Sequence, residues 1–74
     1  MKTGMLWFDD NAKTNLAQKL ETASTYYEIK FKRKPTAALV NPKDLTSAQN
    51  INGINVSPMR EILPHHIMIG VEEA

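Results

Sequence analysis

Cysteine is absent from the 74 residues. That excludes disulfide staples and thiolate metal sites. Glycine occurs three times and never as a Gly-rich phosphate loop, and no GKS, GKT, HExxH or GxSxG motif is present. Ser24, Ser47 and Ser57 sit in no recognisable nucleophile turn. Neither sign of charge dominates: 9 Lys and Arg face 8 Asp and Glu, a formal net charge of +1. A basic tail or an acidic arm is thereby excluded. The apolar run Met5-Leu6-Trp7-Phe8 ends at two aspartates. It is far too short for a signal h-region or a membrane helix, so a cytoplasmic location without a membrane partner is the default expectation.

What is present is globular in composition, with 42% apolar and 23% charged residues. The length suits one small domain over residues 1–74. Such a domain buries only roughly 60% of its unfolded surface. With no disulfide or metal to help, a second subunit or a protein partner is the remaining common source of stability. A substrate pocket needs roughly 300 Å³ or more, which one helix on a small sheet rarely encloses. A small-molecule ligand, a cofactor and catalysis are therefore not expected.

Periodicity gives the elements. Met5 to Phe8 reads as a buried strand, stopped by Asp9-Asp10-Asn11. Leu16, Leu20, Ala23, Tyr27 and Phe31 follow at spacings of 4, 3, 4 and 4, one face of an α-helix widened by Ala12 and Ala17. Asp9, Asp10 and Asn11 are candidate caps. Asn15 with Gln18 is an alternative capping pair one turn later. Lys30, Lys32, Arg33 and Lys34 suit the negative end of the helix dipole, and Pro35 stops the helix. Thr36 to Val40 is a second strand, and Asn41-Pro42 opens a single helical turn. Thr46 to Asn52 reads as polar loop. Asn52-Gly53 is a hairpin turn leading into Ile54-Asn55-Val56, which Pro58 ends or places at a sheet edge. His66 to Val71 is the final strand, with Ile67, Ile69 and Val71 on one face and His66, Met68 and Gly70 on the other. Glu72-Glu73-Ala74 are expected to fray.

This order predicts a two-layer α/β (α+β) domain, one main helix on a mixed sheet of three or four strands. The first strand, helix and second strand form a right-handed crossover. The sheet face away from the helix is expected to carry Met68, Met5 and Trp7; a central first strand would instead make Trp7 part of the core. That face, and an exposed β-edge near Pro58, are the expected docking surfaces.

Leu6-Trp7-Phe8-Asp9, Tyr26-Tyr27, Leu39-Val40-Asn41-Pro42, Ile62-Leu63-Pro64-His65-His66 and Ile69-Gly70-Val71-Glu72 together resemble a group of short uncharacterised prokaryotic proteins. The likeness runs nearly the whole length. Its motifs are not catalytic fingerprints. It implies a compact fold and transfers no activity and no site residue.

Three sets of residues stand as candidate sites. Trp7 and Met68 are candidates for binding a partner, either another protein or a second copy of the chain. Lys30, Lys32, Arg33 and Lys34, with Tyr26 or Tyr27 as a stacking surface, are candidates for nucleic acid. Residues 1–37 carry a local +3 and residues 38–74 a local −2, which works against a broad basic stripe. Asp9 and Asp10 follow a strand end, where parallel sheets bind ligands. If the last strand runs antiparallel to the first, His65, His66 and Asn41 join them at one rim. Two carboxylates and His66 would then be candidate ligands for a divalent ion, which makes a small metal-binding protein or enzyme at the Asp9/Asp10 rim the third reading. The competing reading makes the aspartates helix caps. Consecutive histidines on a strand point to opposite faces, so both cannot readily reach one metal.

Overall fold

The structure is a computed structural model and describes residues 2–72. Five strands and one helix follow in the order β1 (Lys2–Phe8), α1 (Leu16–Phe31), β2 (Ala37–Val40), β3 (Gln49–Ile51), β4 (Ile54–Pro58) and β5 (His66–Val71). They form one helix layer on one mixed sheet of order β1-β5-β2-β4-β3. The two-layer α+β class is as expected from the sequence. The sheet has five strands rather than three or four.

The additional strand lies within the segment read as loop. Gln49-Asn50-Ile51 is polar and short, so it carries no alternation of its own. It becomes a strand because Asn52 and Gly53 close a two-residue turn with φ of 54° and 82°. Positive φ at both central positions is the type I′ arrangement, whose twist matches that of paired strands. Ile51 then lies opposite Ile54, and Gln49 opposite Val56. The Asn52 side-chain amide also donates to the Ala17 carbonyl at 3.3 Å, tying the turn to the helix. β3 covers β4 only from Ile54 to Val56, so among the described residues Ser57 and Pro58 at the end of β4 have no strand partner on that side, in keeping with the edge expected near Pro58. The edges are β1 and β3.

The helix begins where the later capping pair places it. The Asn15 side chain accepts from the Gln18 N–H, and the Gln18 side chain accepts from the Asn15 N–H, each at 2.9 Å. This reciprocal box satisfies two otherwise unpaired donors of the first turn. The Asp9 and Asn11 side chains instead accept from the Asn11 and Lys13 N–H groups, turns that lead up to the helix. Asp9, Asp10 and Asn11 are therefore not its caps, and exposed Ala12 is not part of its stripe. At the far end Lys32 takes the left-handed conformation (φ 60°) and its N–H reaches the Glu28 carbonyl at 2.8 Å. Leu20, Ala23 and Tyr27 are fully buried, with Leu16 and Phe31 packed against the same cluster.

The topology differs from a simple crossover. β1 and β2 both run antiparallel to β5. They are thus parallel to each other but not neighbours, because β5 is inserted between them. Among the described residues the only parallel ladder joins β2 to β4. Register fixes the faces, since residues directly opposite share a side. Trp7 opposes Ile67 and Met5 opposes Ile69. Ile67 and Ile69 are core residues under the helix. Trp7 and Met5 therefore lie on the covered face, not on the open one. Trp7 stacks on Tyr26 of the helix at 4.8 Å between ring centres. Its indole N–H is buried and has no hydrogen-bond partner among the described residues.

The loops are pinned by side chains. Asp44 and Leu45 N–H groups return to the Asn41 carbonyl at 2.9 and 3.3 Å, the expected single turn after Asn41. The Asn41 side chain accepts from the Lys43 N–H and donates to the Ile62 carbonyl at 2.8 Å. It thus fastens the β4–β5 connector across the end of β2. Glu72 is held, not frayed: its N–H donates to the Thr36 hydroxyl at 2.8 Å. Glu73 and Ala74 lie outside the described residues.

Candidate functional site

The sheet face away from the helix is built by alternation. Leu6, Met68, Leu39 and Ser57 lie opposite one another across β1, β5, β2 and β4, and Phe8 lies opposite His66. The first three of that row are apolar, and each stands on the open face because it alternates with a residue committed to the core. Leu6 follows Met5, Met68 follows Ile67, and Leu39 follows Ala38. Nothing among the described residues covers the β1 side of this face. Leu6 remains 56% exposed, Phe8 55% and Leu63 65%. Phe8 leans on the His66 ring at 4.8 Å, and the His66 Nδ1 atom lies 2.9 Å from the Pro64 carbonyl.

The β4–β5 connector forms a wall to this patch. Ile62 is buried while its neighbour Leu63 projects. Together with Leu6, His66 and Met68 they line a mainly apolar groove of about 200 Å³. The opposite half of the face is polar. The Asn50 amide donates to Asn55, and the Asn55 amide donates to Glu72, both at 2.8 Å. The face is thus apolar toward β1 and amide-lined toward β3. Met68 lies on it as expected. Met59, Ile62 and Leu63 read in the sequence as apolar anchors of the connector, but only Ile62 is buried, and Leu63 projects into solvent. Leu6 and Phe8 were not singled out from the sequence. Their signal was the run Met5-Leu6-Trp7-Phe8, which is apolar at every position and so dresses both faces of its strand.

The rim constellation assembles in part. The Asp9 N–H donates to the His65 carbonyl at 2.9 Å, and the His65 N–H donates to the Asp44 carboxylate at 3.0 Å. Asp9, Asp44, His65 and His66 line a cavity of about 100 Å³ beside Leu16 and Lys19. That volume is well below the roughly 300 Å³ of a substrate pocket. Asp10 is exposed and does not line it. Asn41 is engaged with the connector. Among the described residues no group of three His, Cys, Asp or Glu is placed to hold a metal ion. The contacts at this rim are loop contacts: a turn at Asp9 and the Asp44 carboxylate clasping the His65 loop by its N–H.

The basic residues cluster as read. Lys30, Lys32, Arg33 and Lys34 are all exposed at the helix end. The Lys30 ammonium lies 5.4 Å from the centre of the Phe31 ring. Tyr26 is exposed on one side while its ring stacks on Trp7 on the other; Tyr27 is buried in the core. No helix among the described residues is long and apolar enough to cross a membrane. No family model, no curated protein and no solved structure matches the chain.

Proposed function

We propose that this protein is a non-catalytic, cytoplasmic interaction module that self-associates through the apolar half of its uncovered sheet face. The observation that carries the reading is the exposure of Leu6, Phe8 and Leu63 around the Leu6–Met68–Leu39 row. Side chains of this kind in one contiguous patch mark association surfaces. The molecule measures 29 × 25 × 19 Å, so the apolar half of a face spanning its longer dimensions offers about 350 Å², under half of the ~800 Å² each partner gives a standard interface, and the association it supports is weak. Sedimentation equilibrium tests this. The wild-type chain is expected to associate, and Leu63→Glu to weaken association by at least ~10-fold, as burying an unpaired charge demands. The same variant should leave the urea midpoint within about 0.5 kcal/mol of wild type, as for an exposed site. A wild-type chain that stays single at millimolar concentration refutes the reading.

A second reading rests on the four exposed cations at the helix end. They would hold phosphates of a nucleic acid, as an accessory protein does, with binding that falls steeply as salt rises. Double charge reversal at Lys32 and Arg33 should abolish it, and salt-insensitive binding removes this reading.

A further inference from the structure

The two edges of the sheet are not alike. β3 is three residues long, polar, and ends in a tight turn. Those are the devices by which sheets blunt an edge. β1 runs from Lys2 to Phe8, and a register shift disturbs it only between Lys2 and Met5. From Met5 to Phe8 it is regular, uncharged and free of proline.

The hydrogen-bond phase of β1 follows from one contact. The Asp9 N–H bonds the His65 carbonyl directly opposite. In an antiparallel ladder such pairs alternate with unbonded ones. Trp7 and Met5 therefore spend their backbone groups on β5, opposite Ile67 and Ile69. The N–H and C=O groups of Leu6 and Phe8 point the other way, to the free edge. The same two residues carry the exposed apolar side chains. The free backbone groups of Leu6 and Phe8 thus point outward in the plane of the sheet, while their apolar side chains stand on its open face.

We infer that β1 is a strand-addition edge whose occupant is β1 of a second copy, paired antiparallel about a two-fold axis at Leu6. The second copy fits for three reasons. An antiparallel two-fold pair is self-complementary, so each free donor of Leu6 meets the free acceptor of the other Leu6. Centring on Leu6 keeps the overlap inside the strand and brings Phe8 level with Gly4 of the second copy. Centring on Trp7 instead would overlap only Leu6 to Phe8, three residues of the strand against the five from Gly4 to Phe8. Pairing also joins the two exposed patches into one continuous apolar surface over a ten-stranded sheet. This inference rests on the self-association reading but moves the contact from the open face, which edge pairing leaves uncovered, to the edge of β1.

The experiment is amide hydrogen exchange on the full chain, read by NMR at low and high protein concentration, alongside sedimentation equilibrium. Edge pairing predicts that exchange at Leu6 and Phe8 slows by ~10-fold or more as the chain associates, while Trp7 and Asp9 are already protected at every concentration. Leu6→Glu and Leu6→Lys should each be single chains, since like charges meet at the axis, and their equimolar mixture should restore the dimer. Association with the Leu6 and Phe8 amides still open, or a mixture that stays single, overturns edge pairing and leaves face docking standing. A wild-type chain that never associates overturns both.

Discussion

Gly53→Ala isolates a conformational term almost free of packing. The glycine has φ of +82°, and a Cβ built there meets nothing within 4 Å. No clash and no lost contact enters the comparison. What remains is the cost of an L-residue in the left-handed region, roughly 1–2 kcal/mol. A 74-residue domain has about 4–11 kcal/mol of stability in all, so the loss is a sizeable fraction. With a urea dependence of roughly 1 kcal/mol per molar for so small a chain, the unfolding midpoint should fall by about 1–2 M. Trp7 is the only tryptophan and stacks on Tyr26, so its fluorescence reports loss of the helix–sheet contact. Chemical synthesis supplies the converse. D-alanine at position 53 prefers positive φ and restricts the unfolded chain, so it should raise stability by about 0.4–1 kcal/mol. Equal midpoints for glycine, L-alanine and D-alanine would refute the argument, because the turn would then not be carrying the β3–β4 hairpin.

Asn15→Ala removes the acceptor for the Gln18 N–H and should cost about 1 kcal/mol, seen as a lower urea midpoint with an unchanged slope. Leu20→Ala empties the middle of the core, where the side chain is 0% exposed, and should cost roughly 3 kcal/mol. Ile29→Ala, on the 62% exposed side of the same helix, should stay within about 0.5 kcal/mol by thermal or urea unfolding.

The helix was legible because its stripe is local: Leu20, Ala23 and Tyr27 are spaced as a helix requires and are the three residues it buries. The Asn15–Gln18 pair could be read as one of two starts, because both partners lie within one turn. His66 to Val71 was legible in full, since alternation and the flanking residues agree. β3 was not. Gln49-Asn50-Ile51 is a strand only because the Asn52-Gly53 turn folds it onto β4, and its own residues carry no strand pattern. The face of Trp7 was illegible for a different reason. Met5-Leu6-Trp7-Phe8 has no polar position to set its phase. Its orientation is decided by pairing with Ile67 and Ile69, about sixty residues away in the sequence. The candidate site inherited that ambiguity: Met68 lies on the open face as read, while Leu6 and Phe8 took the place given to Trp7.

The insertion of β5 between β1 and β2 bears on how the chain reaches its fold. Until residues 66–71 are available, β1 has no ladder at all and β2 is bonded only through β4. A chain in which β5 has not yet docked holds a β2–β4–β3 ribbon, a helix with half its floor missing, and a loose apolar strand. Docking of β5 closes both gaps in one step. The sheet is therefore finished from its middle rather than extended from an edge, and acquisition of structure should be abrupt instead of gradual.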